Sequence, residues 1–167
     1  LYTPPARPRA QRVLRPRLIE QINAGTRSGR KLTLVSAPAG FGKSSLVASS
    51  LSESERVATW LSLDKGDNDP VRFWTYVIAA IQTVEQDVGD DAKQLITSPQ
   101  LHRTDPAIIS LLNEISELTG DLVLVLDDYH IIEAGQVHLG LSYFLDHQPP
   151  NLHLILITRV DPSLSLA

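Results

Sequence analysis

The sequence predicts an α/β domain, a parallel sheet with helices on both faces, and three observations point to it. Short apolar runs alternate with amphipathic stretches of helical period, the pattern of a β-α-β series with right-handed crossovers. A glycine-bearing turn, Ser36-Ala37-Pro38-Ala39-Gly40-Phe41-Gly42, joins the first apolar run to a helix. A later run, Leu122 to Leu126, ends abruptly in Asp127-Asp128. A strand apolar at every residue is the kind buried on both faces of a parallel sheet.

The elements follow in order. Residues 1–12, rich in proline and arginine, read as a basic extended arm, and residues 13–167 as the folded domain. A helix is expected over Val13–Ile22, with Pro16 in its first turn, and a polar turn over Gly25–Arg30. The strand at 31–36 leads through the glycine turn into a helix over Lys43–Leu51. Arg56–Leu63 clusters β-branched and aromatic residues, a strand. Asp64 to Pro70 is a dense turn signal, in which Asp69 caps the next helix and Pro70 sits in its first turn. That helix, Val71–Glu85, puts Phe73, Trp74, Val77, Ile78, Ile81 and Val84 on one stripe, with Trp74 packing rather than stacking on a ligand. Gly89–Leu101 is polar and weakly patterned. A helix follows over Asp105–Leu118, then the strand Leu122–Leu126, a helix over Gln136–His147 and a last strand, His153–Thr158, that delivers Arg159.

Composition narrows the chemistry. The 167 residues, 43% hydrophobic and 20% charged, suffice for one domain with a sizeable core. A net charge of -4 argues against a nucleic-acid-binding surface on these residues. With no cysteine, disulfides and thiolate chemistry are excluded. The apolar runs are too short to cross a bilayer and no signal segment opens the chain, so no membrane partner and a cytoplasmic setting are expected. The chain has no methionine, even at its start, and reads as a fragment of a longer polypeptide.

Ala37-Pro38-Ala39-Gly40-Phe41-Gly42-Lys43-Ser44 fits the phosphate-loop pattern G-x-x-x-x-G-K-[ST] at every position but the first, where Ala37 replaces glycine. Gly40 and Gly42 allow positive φ and a close backbone approach. The loop amides then form an anion nest, reinforced by the start of the helix at Lys43-Ser44-Ser45. Lys43 is expected to reach the β- and γ-phosphates of ATP, and Ser44 and Asp127 to hold Mg²⁺. Asp128 is placed to polarise an attacking water. Arg159 either reads the presence of a γ-phosphate or pairs with Asp161 at the surface. His130 reads as a loop histidine satisfied by the backbone, rather than a metal ligand beside the two aspartates. All these polar residues fall at the carboxyl ends of strands, where ligands gather in parallel sheets.

Together APAGFGKSSL, VLVLDDYH, W-L-S-L-D-x-x-D-N-D-P-x-R-F-W and H-L-I-L-I-T-R-x-D-P resemble the nucleotide-binding domain of MalT-like regulators. These are large ATP-binding LuxR-type transcription factors within the signal-transduction ATPases with numerous domains (STAND). Alanine commonly opens the loop in that family. The resemblance implies a P-loop NTPase of the ASCE type, strand order 2-3-4-1, with a fifth strand and further domains outside these residues. It also implies an ATP/ADP-Mg²⁺ switch with slow hydrolysis, self-association of the active parent, and a place for Arg15 near the adenine. Lys43, Asp128 and Arg159 would be the catalytic and sensing residues, and little turnover is expected from the fragment alone. Two other readings stay open: a nucleotide-stabilised interaction module without turnover, and a small-molecule P-loop kinase. The kinase would need an arginine-bearing lid, for which Gly89–Arg103 is the only candidate.

Overall fold

The computed structural model describes residues 15–54, 56–98, 103–162 and 164. The expected arm at 1–12, Val13 and Leu14 of the expected first helix, and residues 99–102 of the polar stretch lie outside the described residues. The elements are α1 (Pro16–Arg27), β1 (Leu32–Ser36), α2 (Lys43–Ser52), β2 (Val57–Ser62), α3 (Pro70–Gln82), α4 (Asp90–Ile96), α5 (Asp105–Ser116), β3 (Leu122–Asp127), α6 (Gly135–Asp146) and β4 (Leu152–Thr158). Short 3₁₀ turns at Lys65–Asn68 and Tyr129–Ile131 follow β2 and β3.

The four strands pair in parallel in the order β1-β4-β3-β2, the expected order read from the other edge. β3 and β4 occupy the centre and are buried at every residue, which is why both are apolar on both faces rather than alternating, His153 and Thr158 being the buried polar residues of β4. Their side chains still divide by parity. Leu122, Leu124, Leu126, Leu154 and Leu156 join the core beneath α3 to α6. Val123, Val125, Ile155 and Ile157 meet Ile22 of α1 and Val47 of α2 on the opposite face.

Asp69 caps α3 by accepting the Arg72 N–H at 2.8 Å, and Pro70 occupies the first turn. The apolar stripe of α3 buries Phe73, Trp74, Val77, Ile78 and Ile81, each such side chain contributing about 1.5–3 kcal/mol. Trp74 packs edge-on against Phe73 and tilted against Phe144. Val84 departs from expectation: the helix stops at Gln82, and Val84 is left exposed.

Two other boundaries differ. The expected turn at Gly25 is helix, and α1 continues to Arg27. Gly25 is buried there, and a Cβ would come within 3.1 Å of Thr33 Oγ1, so this glycine permits close packing of α1 on β1 rather than a bend. The polar stretch from Gly89 contains α4. It starts from Gly89 in the left-handed region (φ 90°), with Ala92 and Ile96 buried.

Candidate functional site

β1 stops at Ser36, and the Ala37 N–H still reaches the Thr158 carbonyl at 3.4 Å, tying the loop to the end of β4. The loop then turns through Gly40 (φ 82°) and Gly42 (φ 72°). Nothing lies within 4 Å of a Cβ built on either, so it is the positive φ, and not crowding, that calls for glycine. Gly42 precedes the first turn of α2, whose leading amides have no intrahelical acceptor. Pro38, Ala39 and Phe41 are exposed along the loop, and Ser45 is exposed on that first turn.

Lys43 crosses back over the loop and donates to the carbonyls of Ala37 at 2.6 Å and Pro38 at 3.1 Å. The Ser44 hydroxyl faces the carboxylate of Asp127, the last residue of β3. Asp127 is only 6% exposed and accepts the Asp128 N–H at 2.9 Å. Burial pushes its carboxyl above the ordinary carboxylate range, Asp128's neighbouring charge adds to this, and the Ser44 hydroxyl and Lys43's charge oppose it. Asp128 itself takes a left-handed conformation (φ 59°), unique among the non-glycine residues described.

His130 does not bear out its expected role. Its Nδ1 is buried without a hydrogen-bond partner, 3.9 Å from Asp128 Oδ1. Burial lowers its pKa first, then the positive charge of Arg159, with Asp128 opposing. Arg159 is exposed one residue beyond β4. Arg15 donates to the Phe41 carbonyl at 3.2 Å and, with Leu18, Ile22, Ala37, Phe41 and Leu46, lines a groove of about 300 Å³ beside the loop.

The structure thus gathers Lys43, Ser44, Asp127, Asp128, His130 and Arg159 at one end of the sheet. Among the described residues no three histidine or carboxylate groups converge on a metal position. One buried carboxylate beside one hydroxyl is instead a donor set that suits Mg²⁺ when phosphates and water complete the shell.

Sequence reasoning undervalued the turn after β2. Arg72 bonds both Asp64 and Asp67 from α3, and Asn68 reaches across to the chain following Asp128-Tyr129-His130. The only signal was the spacing of polar residues in Asp64-x-x-Asp67-Asn68-Asp69-Pro70-x-Arg72.

The AAA ATPase domain profile matches residues 12–157. The HTH-type transcriptional regulators MalT of Yersinia enterocolitica and Yersinia pestis are each 37% identical over 155 residues. The match takes in 93% of this chain and 17% of theirs, so the chain spans about a sixth of the length of these curated relatives. Among solved structures, a Walker-type ATPase of Pyrococcus abyssi is similar at a TM-score of 0.60 and 18% identity, over 92% of this chain and 48% of that one. The ORC1 protein of Aeropyrum pernix, solved in complex with DNA, is similar at a TM-score of 0.52 and 14% identity, over 89% and 40%. These two share the fold.

Proposed function

This chain belongs to the AAA ATPase domain family, and on that premise we propose that its site binds ATP or ADP with Mg²⁺ as the switch of a larger transcriptional regulator. The observation that carries this is the loop geometry: Lys43 folds back onto the carbonyls of Ala37 and Pro38, and Ser44 of the helix after β1 faces the buried carboxylate of Asp127 at the tip of β3.

Each side chain then has a task. Lys43 holds the β- and γ-phosphates by exchanging the carbonyls of Ala37 and Pro38 for phosphate oxygens, a stronger charge-assisted partner. Ser44 and Asp127 would hold Mg²⁺, which would neutralise charge developing on the phosphates. The loop amides from Ala39 to Ser45 cradle the phosphates. Asp128, half-exposed beside the buried Asp127, orients an attacking water. Arg159 senses the γ-phosphate, whose charge leaves on hydrolysis. Arg15, fixed on Phe41's carbonyl beside a partly apolar groove, belongs on the base side of the nucleotide. The similarity to MalT supports placing this switch within a transcription factor that self-associates when active.

Of the segment a kinase lid requires, residues 89–98 and 103 are described: α4 packs into the core with Ala92 and Ile96 buried, and Arg103 pairs with Asp105 at 2.7 Å. That favours the switch over the kinase.

Titration with ATP and ADP, with and without Mg²⁺, tests the reading. Lys43→Ala should weaken binding about tenfold or more, the loss of one hydrogen bond to a charged group. Unchanged affinity in that variant sinks the phosphate-loop assignment. Asp128→Asn should retain binding and lose turnover; retained turnover removes Asp128 from the hydrolytic role.

A further inference from the structure

Asn68 sits on the turn between β2 and α3, yet its side chain serves the loop after β3. Its Oδ1 accepts the N–H groups of Glu133 at 2.7 Å and Ala134 at 2.9 Å. Its Nδ2 donates to the carbonyls of Ile131 and Lys65, both at 3.1 Å. Backbone N–H groups can only donate and carbonyls only accept, so the amide has one orientation here and all four of its bonding positions are filled. Three of the four bonds hold residues 131–134, directly after Asp128-Tyr129-His130.

That stretch needs holding. Asp128 leaves β3 in the left-handed region, where a non-glycine residue persists only if its surroundings impose it. From one side Tyr129 is anchored, 1% exposed, with its hydroxyl 2.7 Å from His138 Nδ1. From the other side stands Asn68. Its own turn is braced: Asp64 and Asp67 form a reciprocal capping box, and Arg72 bonds Asp67 at 3.1 Å and both oxygens of Asp64 at 3.0 and 3.1 Å. A Cβ at Gly66 would run into the Arg72 guanidinium, so Gly66 leaves room for that brace.

We propose that Asn68 is a positioning residue of the nucleotide site, fixing from the β2–α3 turn the loop that carries Asp128 and His130. The proposal rests on the hydrolytic role given above to Asp128. It acts through that carboxylate and not through the phosphate loop, because β2 and β1 lie on opposite edges of the sheet. Its loss is therefore felt in turnover and not in nucleotide affinity.

The test compares the full-length protein with Asn68→Ala and Asn68→Asp, measuring kcat and the Kd for ATP-Mg²⁺ separately. Misplacing a reacting group by about an ångström suffices for large losses, so Asn68→Ala should lower kcat about tenfold or more with Kd changed less than about twofold. Asn68→Asp keeps an acceptor oxygen in the place of Oδ1 and loses both Nδ2 donations, so its kcat should fall between the two. A general loss of structure would lower kcat and weaken binding together, and that result in both variants overturns the proposal. So does an unchanged kcat in Asn68→Ala. If that variant does not fold, Asn68→Asp decides alone, by reduced or unchanged kcat at constant Kd. A wild-type protein that binds ATP but never turns it over overturns the hydrolytic reading and this proposal with it; a competent wild type with unaffected variants overturns the proposal alone.

Discussion

His153 is 3% exposed in β4, with Nδ1 2.6 Å from the Arg30 carbonyl and Nε2 2.9 Å from the Thr33 hydroxyl. A carbonyl only accepts, so Nδ1 carries a proton; in the neutral ring Nε2 takes the Thr33 hydroxyl hydrogen. Burial holds its pKa below the usual 6.5, the Arg30 bond opposing and the charge of Arg56 assisting. Between the folded value and 6.5 the unfolded chain binds a proton that the folded chain does not. Stability therefore rises with pH in that window; the contribution is present above 6.5 and lost as pH falls through the folded value. Urea unfolding at about pH 7.5 and about pH 5.5 should show weaker folding in acid, and His153→Gln should reduce that difference. His130, shifted the same way, keeps some of it. An identical difference in the variant rules His153 out. Asp127 has the opposite sign. Its raised carboxyl pKa means that the fold disfavours the charge, so Asp127→Asn should melt higher than wild type without ligand while losing the Mg²⁺-dependent part of ATP affinity. A lower melting temperature contradicts the burial argument. That Lys43, Ser44 and Asp127 converge at one end of the sheet was legible in residue type and spacing. The surroundings of His130 and Asn68 were not, because they depend on which loop the fold brings alongside.

Among the elements, α4 shows where such legibility ends. Its seven residues carry little periodic pattern, and its first-turn amides are satisfied from another helix: Glu114 of α5 accepts the Gly89 N–H at 2.7 Å and the Ala92 N–H at 3.3 Å. Local sequence holds no sign of a cap lent from 25 residues away. Gly25 misled in the other direction, since a glycine before polar residues signals a turn, while its use here is close contact of α1 with Thr33. By contrast β3, β4 and α3 were readable because burial on both faces, or on one stripe, leaves a periodic trace. Removing the borrowed cap should be local. Glu114→Ala should cost about 1–2 kcal/mol, the range for a lost cap or a stranded buried donor, and hydrogen exchange should quicken over Asp90–Ile96 well before it does in α3. Exchange that is unchanged in α4 would show that packing of Ala92 and Ile96 alone holds the helix.

Across the whole molecule the two ends of the sheet do different work. At the amino end several polar groups bind one another: Arg56 pairs with Asp121 at 3.0 Å, His153 ties Thr33 to Arg30, and the Asn151 amide donates to the carbonyls of Ile115 and Leu118, while Asn151 Oδ1 and Gln148 Oε1 are buried without a partner. At the carboxyl end Lys43 rests on carbonyls of its own loop, Arg159 and Phe41 are exposed, and His130 Nδ1 is unpartnered. Helices from both faces send loops to that end, α2 from one and the chain entering α3 and α6 from the other. A ligand there would bridge the two layers. ATP-Mg²⁺ should accordingly slow amide exchange in residues 37–46 and 127–134, and the 64–69 turn should follow through Asn68. Residues 26–30 and 121 should exchange as they do without nucleotide. Equal protection at the two ends would mean global tightening rather than a bound site. Protection confined to the amino end would move the nucleotide to the wrong face of the strands and dismantle the assignment of Lys43, Ser44 and Asp127 together.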